Sequence, residues 1–166
     1  MKIAAAIALC VCLTACNKQK AEPATVVEPP PKAGRKFALA SYDRATISVK
    51  RHKIDVYVAD DQDKQTEGLM FVEDGELGAD EGMIFVFPDE QYRSFWMKNT
   101  LIPLDIAYLK SDGTILNIVR MEPLMEIGYP SEGLARFAVE MKAGWFEKNG
   151  VKHGARFELS GLANRR

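Results

Sequence analysis

Residues 82–88 read Gly-Met-Ile-Phe-Val-Phe-Pro, and residues 104–109 read Leu-Asp-Ile-Ala-Tyr-Leu. Short apolar runs rich in β-branched and aromatic residues, bounded by turn residues, are typical of strands buried in a core. We therefore predict two core strands here, the first closed by Pro88. Residues 92–100, which read Tyr-Arg-Ser-Phe-Trp-Met-Lys-Asn-Thr, predict a third core strand between them.

Stretches on either side alternate apolar and polar residues, which is the period of a half-buried strand. Residues 46–49 and 54–58 are predicted to form a hairpin through the polar connection 50–53. Residues 111–114 predict a tight turn. The additional predicted strands are 46–49, 54–58, 115–121, 137–141 and 156–159.

Two short helices are predicted among these strands. Asp60 is the N-cap candidate of a helix from Asp60 to Leu69 that ends at Gly68, and residues 144–149 form a helical turn capped by Gly150. The predicted fold class is mainly β: a compact antiparallel sandwich, barrel or jelly-roll-like domain with one or two short helices.

The beginning of the chain predicts an exported lipoprotein. Lys2 precedes an uninterrupted apolar run of eleven residues, Ile3–Leu13, which suits a cleaved signal peptide over residues 1–15 and is shorter than a membrane-spanning helix. Leu13-Thr14-Ala15-Cys16 resembles the lipobox of bacterial lipoproteins. That resemblance implies acylation of Cys16, which anchors the protein in the cell envelope, and Asn17 favours the outer membrane over the inner.

Residues 16–36 then predict a flexible tether. They contain Pro23 and the run Pro29-Pro30-Pro31, and consecutive prolines favour an extended polyproline II conformation. Residues 37–166 form the predicted single β-rich domain.

Charge and cysteine usage exclude several classes of function. Loss of Lys2 with the signal peptide leaves 21 basic against 23 acidic residues, without a basic stripe for nucleic acid. Cys10 and Cys12 also leave with the signal, so no disulfide is expected in the mature domain. With His52 and His153 as the only histidines, a Cys/His zinc site is excluded, and we expect neither a metal nor a cofactor.

Four motifs resemble the uncharacterised prokaryotic family known as domain of unknown function 192, over about residues 47–159. They are Gly68-Leu69-Met70, residues 82–87, residues 95–106 (Phe-Trp-Met-Lys-Asn-Thr-Leu-Ile-Pro-Leu-Asp-Ile) and residues 138–144 (Ala-Val-Glu-Met-Lys-Ala-Gly). The resemblance implies a compact β-rich, barrel-like or jelly-roll-like fold and assigns no activity. The chain departs from the family in having Val72 where an arginine is usual.

Three charged residues lie in strands otherwise built of core residues. In an extended strand Trp96 and Lys98 share a face, while Asp105 and Glu140 each interrupt an apolar run. One interpretation is a cleft in which Trp96 stacks on a sugar or another polar ring and the charges hold it. The other is a structural ion pair, or solvated strand faces. The candidate ligand-binding residues are Trp96, Lys98, Asn99, Asp105, Glu140 and Tyr129.

Three functions stay open from the sequence. The preferred one is a non-enzymatic envelope module that binds a small polar ligand, a glycan or a partner protein. The second is a glycan hydrolase that uses Asp105 and Glu140 as a carboxylate pair. The third is a structural accessory lipoprotein whose charged strand residues serve only folding.

Overall fold

Nine strands and two short helices make up the computed structural model, which describes residues 32–162. The strands are β1 (Arg44–Val49), β2 (His52–Ala59), β3 (Glu81–Gln91), β4 (Ser94–Phe95), β5 (Leu104–Leu109), β6 (Ile115–Met121), β7 (Tyr129–Pro130), β8 (Ala135–Lys142) and β9 (Phe157–Glu158). The helices are α1 (Gln62–Glu67) and α2 (Trp145–Lys148), with 3₁₀ turns at Leu39–Ser41, Asp74–Glu76 and Ser160–Leu162. The predicted mainly β class is confirmed.

Seven of the strands form one curled sheet in the order β6-β5-β8-β3-β2-β1-β9, and β4 pairs with β7 separately. All neighbours in the large sheet are antiparallel except β2 and β3. That parallel pair needs a crossover, and residues 60–80, which include α1, provide it. A bridge between Thr114 and Arg156 joins the two ends of the sheet and curls it into a half-barrel.

The central strands are buried on both faces. Side chains such as Val139 and Met141 belong to an apolar cluster inside the curl, whereas Met83, Ile106 and Ala138 belong to a second cluster on the opposite face. We call the side of the sheet that carries the second cluster its outer face. Strands covered on both faces read as continuous apolar runs, which explains the sequence of β3 and β5.

Most predicted elements are present with small shifts. The β1–β2 hairpin forms through the two-residue turn Lys50-Arg51. The N-cap of α1 is Asp61, whose carboxylate accepts the Lys64 backbone N–H at 2.8 Å, so the prediction of Asp60 was wrong by one residue. The part of the chain that the structure describes contains no helix long and apolar enough to cross a membrane.

Two strand boundaries were predicted wrongly. Strand β3 continues past Pro88, because Pro88 lies in an interruption of the β3–β8 ladder where its missing N–H is not needed. The predicted strand 92–100 is a strand only at β4. The chain then turns: the Thr100 N–H donates to the Met97 carbonyl at 3.0 Å, and Asn99 has a φ of 56°.

The closure of the sheet can be tested at Gly113. A Cβ on this residue, which has a φ of +84°, would lie 2.3 Å from the carbonyl oxygen of Phe157. Gly154 is the matched control, because its φ is +77° and a Cβ there meets nothing within 4 Å. In urea unfolding, we expect Gly154→Ala to cost about 1–2 kcal/mol from backbone strain. Gly113→Ala should cost roughly 1–3 kcal/mol more from overpacking. Equal losses would contradict this closure.

Candidate functional site

A cleft of about 550 Å³ opens on the outer face of the sheet. Its floor is the outer face of β3 and β8, one wall is α1 with residues 68–70, and the other wall is the stretch from Pro88 to Trp96. The lining residues include Gln65, Glu67, Met70, Phe85, Phe87, Asp89, Tyr92, Arg93, Phe95, Trp96, Thr100 and Glu140.

Glu140 lies at the floor of this cleft. On β8 it is opposite Met83 of β3 and Ile106 of β5, and it is only 4 % exposed. Within residues 32–162 its carboxyl has no hydrogen-bond or ion-pair partner. Every fully buried side-chain oxygen or nitrogen of those residues has a hydrogen-bond partner. The carboxyl oxygens of Glu140 have none, so they are not fully buried and face the open space of the cleft.

Burial alone sets the protonation of Glu140. Loss of water around the carboxyl raises its pKa from 4.5 to about 8, with no other cause. A carboxyl in an apolar surround holds its proton because the charged form is poorly solvated there. At pH 7 the cleft therefore has a mostly neutral acid on its floor. Strongly perturbed acids of this kind cluster at functional sites.

Aromatic rings form much of the cleft. Phe95 packs edge-to-face on Phe85 at 4.7 Å and on Phe87 at 6.4 Å between ring centroids, which fixes the wall formed by β4. Trp96 and Tyr92 are exposed at the rim, with 44 % and 72 % of their surface accessible. Edge-to-face packing is a favoured arrangement of aromatic rings, so these contacts stabilise the wall.

Arg35 orders the turn at the end of α1. It is 8 % exposed; its guanidinium donates to the Met70 carbonyl and, at 3.2 Å, to the Gly68 carbonyl, and lies 3.4 Å from the Glu67 carboxylate. Sequence reasoning missed this residue, because it lies in the stretch predicted as a flexible tether. No local signal marks it in the sequence, where it lies in a polar stretch two residues before Phe37.

Trp96 and Glu140, two of the predicted site residues, line the cleft together. Lys98 does not line it; its ammonium lies 5.2 Å from the centre of the Trp96 ring and 4.0 Å from the Glu126 carboxylate. Cys16 lies outside the described residues, so its acylation stays a prediction.

Asp105 lies on the opposite face of the sheet from Glu140. It is opposite Met141 on β8, and its carboxylate accepts hydrogen bonds from the Arg120 guanidinium and from the Gly144 N–H at 2.7 Å. The two carboxyls cannot flank one glycosidic bond, so their pairing as hydrolase residues was wrong. For Asp105 the structural ion-pair interpretation fits the contacts.

Asn99 and Tyr129 support the segments around the cleft without lining it. The Asn99 carbonyl accepts the Phe71 N–H at 2.8 Å, and its side-chain amide lies 3.9 Å from the Met70 sulfur. The Tyr129 hydroxyl accepts the Glu122 N–H at 3.2 Å, and its carbonyl accepts the Tyr108 hydroxyl. Among the residues that the structure describes, no three acidic or histidine side chains gather as potential metal ligands.

The family model DUF192, described as an uncharacterised ACR, matches residues 44–159. This stretch contains all four motifs noted in the sequence, and the family predicted from them is confirmed. No curated protein matches the chain.

Two solved structures are similar to the chain over most of their own length. One is a protein of Sinorhizobium meliloti 1021 described as a proposed transcription regulator, with 31 % identity, a TM-score of 0.68, and coverage of 71 % of this chain and 95 % of that one. The other is a protein of unknown function from Novosphingobium aromaticivorans, with 30 % identity, a TM-score of 0.64, and coverage of 75 % and 99 % respectively.

The perturbed acid can be tested through the pH dependence of stability. Below about pH 4.5 the carboxyl is protonated in the folded and the unfolded chain alike. Between about pH 4.5 and 8 the Glu140 carboxyl ionises only in the unfolded chain. The free energy of unfolding therefore falls by roughly 1.4 kcal/mol per pH unit. Glu140→Gln keeps the shape of the neutral acid and removes this loss.

Urea unfolding of both proteins between about pH 5 and 8 provides the measurement. We expect the variant to gain stability over the wild type steadily as the pH rises, while shifts common to both cancel. Parallel curves over this range would show that Glu140 ionises as easily in the folded protein as in the unfolded chain.

Proposed function

The chain belongs to the uncharacterised DUF192 family, and we propose that it is a lipid-anchored envelope protein that binds a small ligand in the cleft above Glu140. One observation carries the proposal: a buried carboxyl without a partner faces an open cavity with aromatic walls. The envelope location rests on the predicted signal peptide and on Cys16.

The dimensions and the chemistry of the cleft suit a small molecule. Ligand sites usually span about 300–1,000 Å³ and combine apolar walls with a few polar groups that fix orientation. The cleft has about 550 Å³, a wall of phenylalanine rings and one buried acid at its floor. Trp96 at the rim offers an accessible ring face against which a sugar or another flat group can stack.

The structural interpretation of Glu140 fits less well. A buried acid kept for folding alone is normally paired, because an unpaired buried polar group destabilises the fold. Asp105 meets that expectation through Arg120 and Gly144, whereas Glu140 has no partner among residues 32–162. The free energy lost at Glu140 is explained if a ligand supplies the missing contact.

Acid–base catalysis is the second candidate function. A carboxyl with a pKa of about 8 holds a proton near neutral pH and can donate or accept it, which is the tuning that general acids and bases require. This version uses Glu140 alone and does not need Asp105. Turnover of an envelope-derived substrate that Glu140→Gln abolishes would favour it over binding.

Exposed apolar side chains beside the cleft favour an additional protein contact. Leu124, Met125 and Ile127 lie exposed in the loop after β6, and Leu101 lies exposed in the segment before β5. The Met97 N–H donates to the Met125 carbonyl at 2.8 Å, so this loop packs along the segment that carries Trp96. This loop is therefore the surface where we expect an envelope partner to bind.

A fragment screen followed by NMR tests the binding function. We expect bound fragments to shift the signals of Phe95 and Trp96, and Trp96→Ala to weaken the best of them at least about tenfold, which is about 1.4 kcal/mol. Lys152→Ala serves as the control, because this exposed side chain does not line the cleft and should leave affinity unchanged within about twofold. Fragments that bind equally well to the Trp96→Ala protein would contradict the proposed site.

A further inference from the structure

We propose that the ligand of this cleft is an organic monocation, with a protonated amine at Glu140 and an apolar or aromatic body against the ring wall. The inference rests on the proposed binding function and specifies the class of ligand. Three observations support it: the charges of the lining, the groups that face Glu140, and the aromatic walls.

The charged groups of the lining are paired, with one exception. Glu67 is neutralised by Arg35 at 3.4 Å, and Asp89 by Arg93 at 2.7 Å. Among the lining residues, all of which lie in the described part of the chain, Glu140 is the remaining charge-bearing group and has no counter-ion. A ligand that brings one positive charge would balance the Glu140 carboxylate once it ionises, whereas an anion would bring no balancing charge.

The basic groups on the same face of β8 are engaged elsewhere. The Lys142 ammonium binds the Asp74 carboxylate at 2.8 Å, and the Arg136 guanidinium donates to the Pro88 carbonyl. Neither side chain lines the cleft. The basic residues of β8 therefore supply no positive charge to the Glu140 carboxyl.

Neighbouring strands also provide no charge for Glu140. Tyr108 on β5 donates its hydroxyl hydrogen to the Tyr129 carbonyl. Burial, and after it the nearby Glu140, raises the pKa of this phenol, which stays neutral. Met83 on β3 and Ile106 on β5, the residues directly opposite Glu140, are apolar. An ammonium at the carboxyl would be the only positive partner at the floor of the cleft as described.

The walls suit a cation as well as an apolar body. The faces of aromatic rings attract cations through their quadrupole, and the attraction is stronger when water is excluded. Phe85, Phe95 and Trp96 all line the cleft. The Trp96 ring already has the Lys98 ammonium 5.2 Å from its centre, which shows that this ring accepts a positive neighbour.

Proton release distinguishes a cation from a neutral ligand. Before a ligand binds, the Glu140 carboxyl is protonated at neutral pH. An ammonium pairs with the ionised carboxylate, so binding releases the carboxyl proton to the buffer. The apparent affinity for the cation should then rise about tenfold for each unit by which the pH increases, up to the pKa of Glu140 in the unliganded protein. A neutral ligand that accepts the carboxyl O–H would bind best at low pH instead.

Isothermal titration calorimetry of the full chain with three probes of matched size tests the inference. The probes are 2-phenylethylamine, which is cationic at neutral pH, the neutral 2-phenylethanol and the anionic 3-phenylpropanoate. For the amine we expect at least about tenfold tighter binding than for the alcohol at pH 7, no measurable binding of the acid, and about one proton released, seen as a heat that depends on the buffer.

Glu140→Gln should remove the preference for the amine and its pH dependence while the alcohol still binds. Glu158→Gln, the same change at an exposed position on β9, is the matched control and should leave all three affinities unchanged. Equal binding of amine and alcohol, unaffected by Glu140→Gln, would overturn the cation while the small-ligand site stands. Failure of all three probes to bind in the cleft would overturn the cation and the binding site together.

Discussion

Burial of both faces of the central strands is the constraint on which the rest of the structure depends. Because β3, β5 and β8 are covered inside the curl and on the outer face, water reaches their side chains only where the covering layer is open. Any polar group in these strands must therefore find a partner or lose solvation. Asp105 and Glu140 stand in adjacent strands under the same constraint and meet it differently.

Asp105 is stabilised by two donors, whereas Glu140 remains protonated and faces the cleft. The difference is built by the covering layer. Arg35, Glu67 and the turn at Gly68 hold one wall, and the rings of β4 hold the other. An unpaired acid at the centre of such a layer is destabilising by itself, which is why we propose a role for Glu140 in binding or proton transfer.

Much of the fold could be predicted from the sequence, because its signals are local. Apolar runs and alternation identified most strands. The segment after β4 was misread because Met97 and Thr100 are both buried, three residues apart, in a turn that imitates the composition of a strand. Arg35 could not be found, since nothing local marks a single arginine in a polar stretch as buried.

The site was predicted in part, for a reason that lies in the sheet. Trp96 and Glu140 line the same cleft, but Asp105 does not, because whether Asp105 and Glu140 share a face depends on the register of β5 against β8. A slip of one residue in the register moves every side chain of a strand to the other face. The register between strands that are distant in the chain cannot be predicted from the sequence of either strand alone. The convergence of the four family motifs on one cleft likewise emerges only from the sheet order.

The ionisation of Glu140 in the empty protein is the measurement that bears most directly on this interpretation. Carbon-13 NMR of labelled glutamate carboxyls, with Glu140 assigned from the Glu140→Gln spectrum, follows that one group through a pH titration. We expect a midpoint near the value of about 8 that burial imposes. A midpoint close to the ordinary 4.5 would mean that water or a counter-ion reaches the carboxyl, and would contradict the desolvated acid on which the site is built.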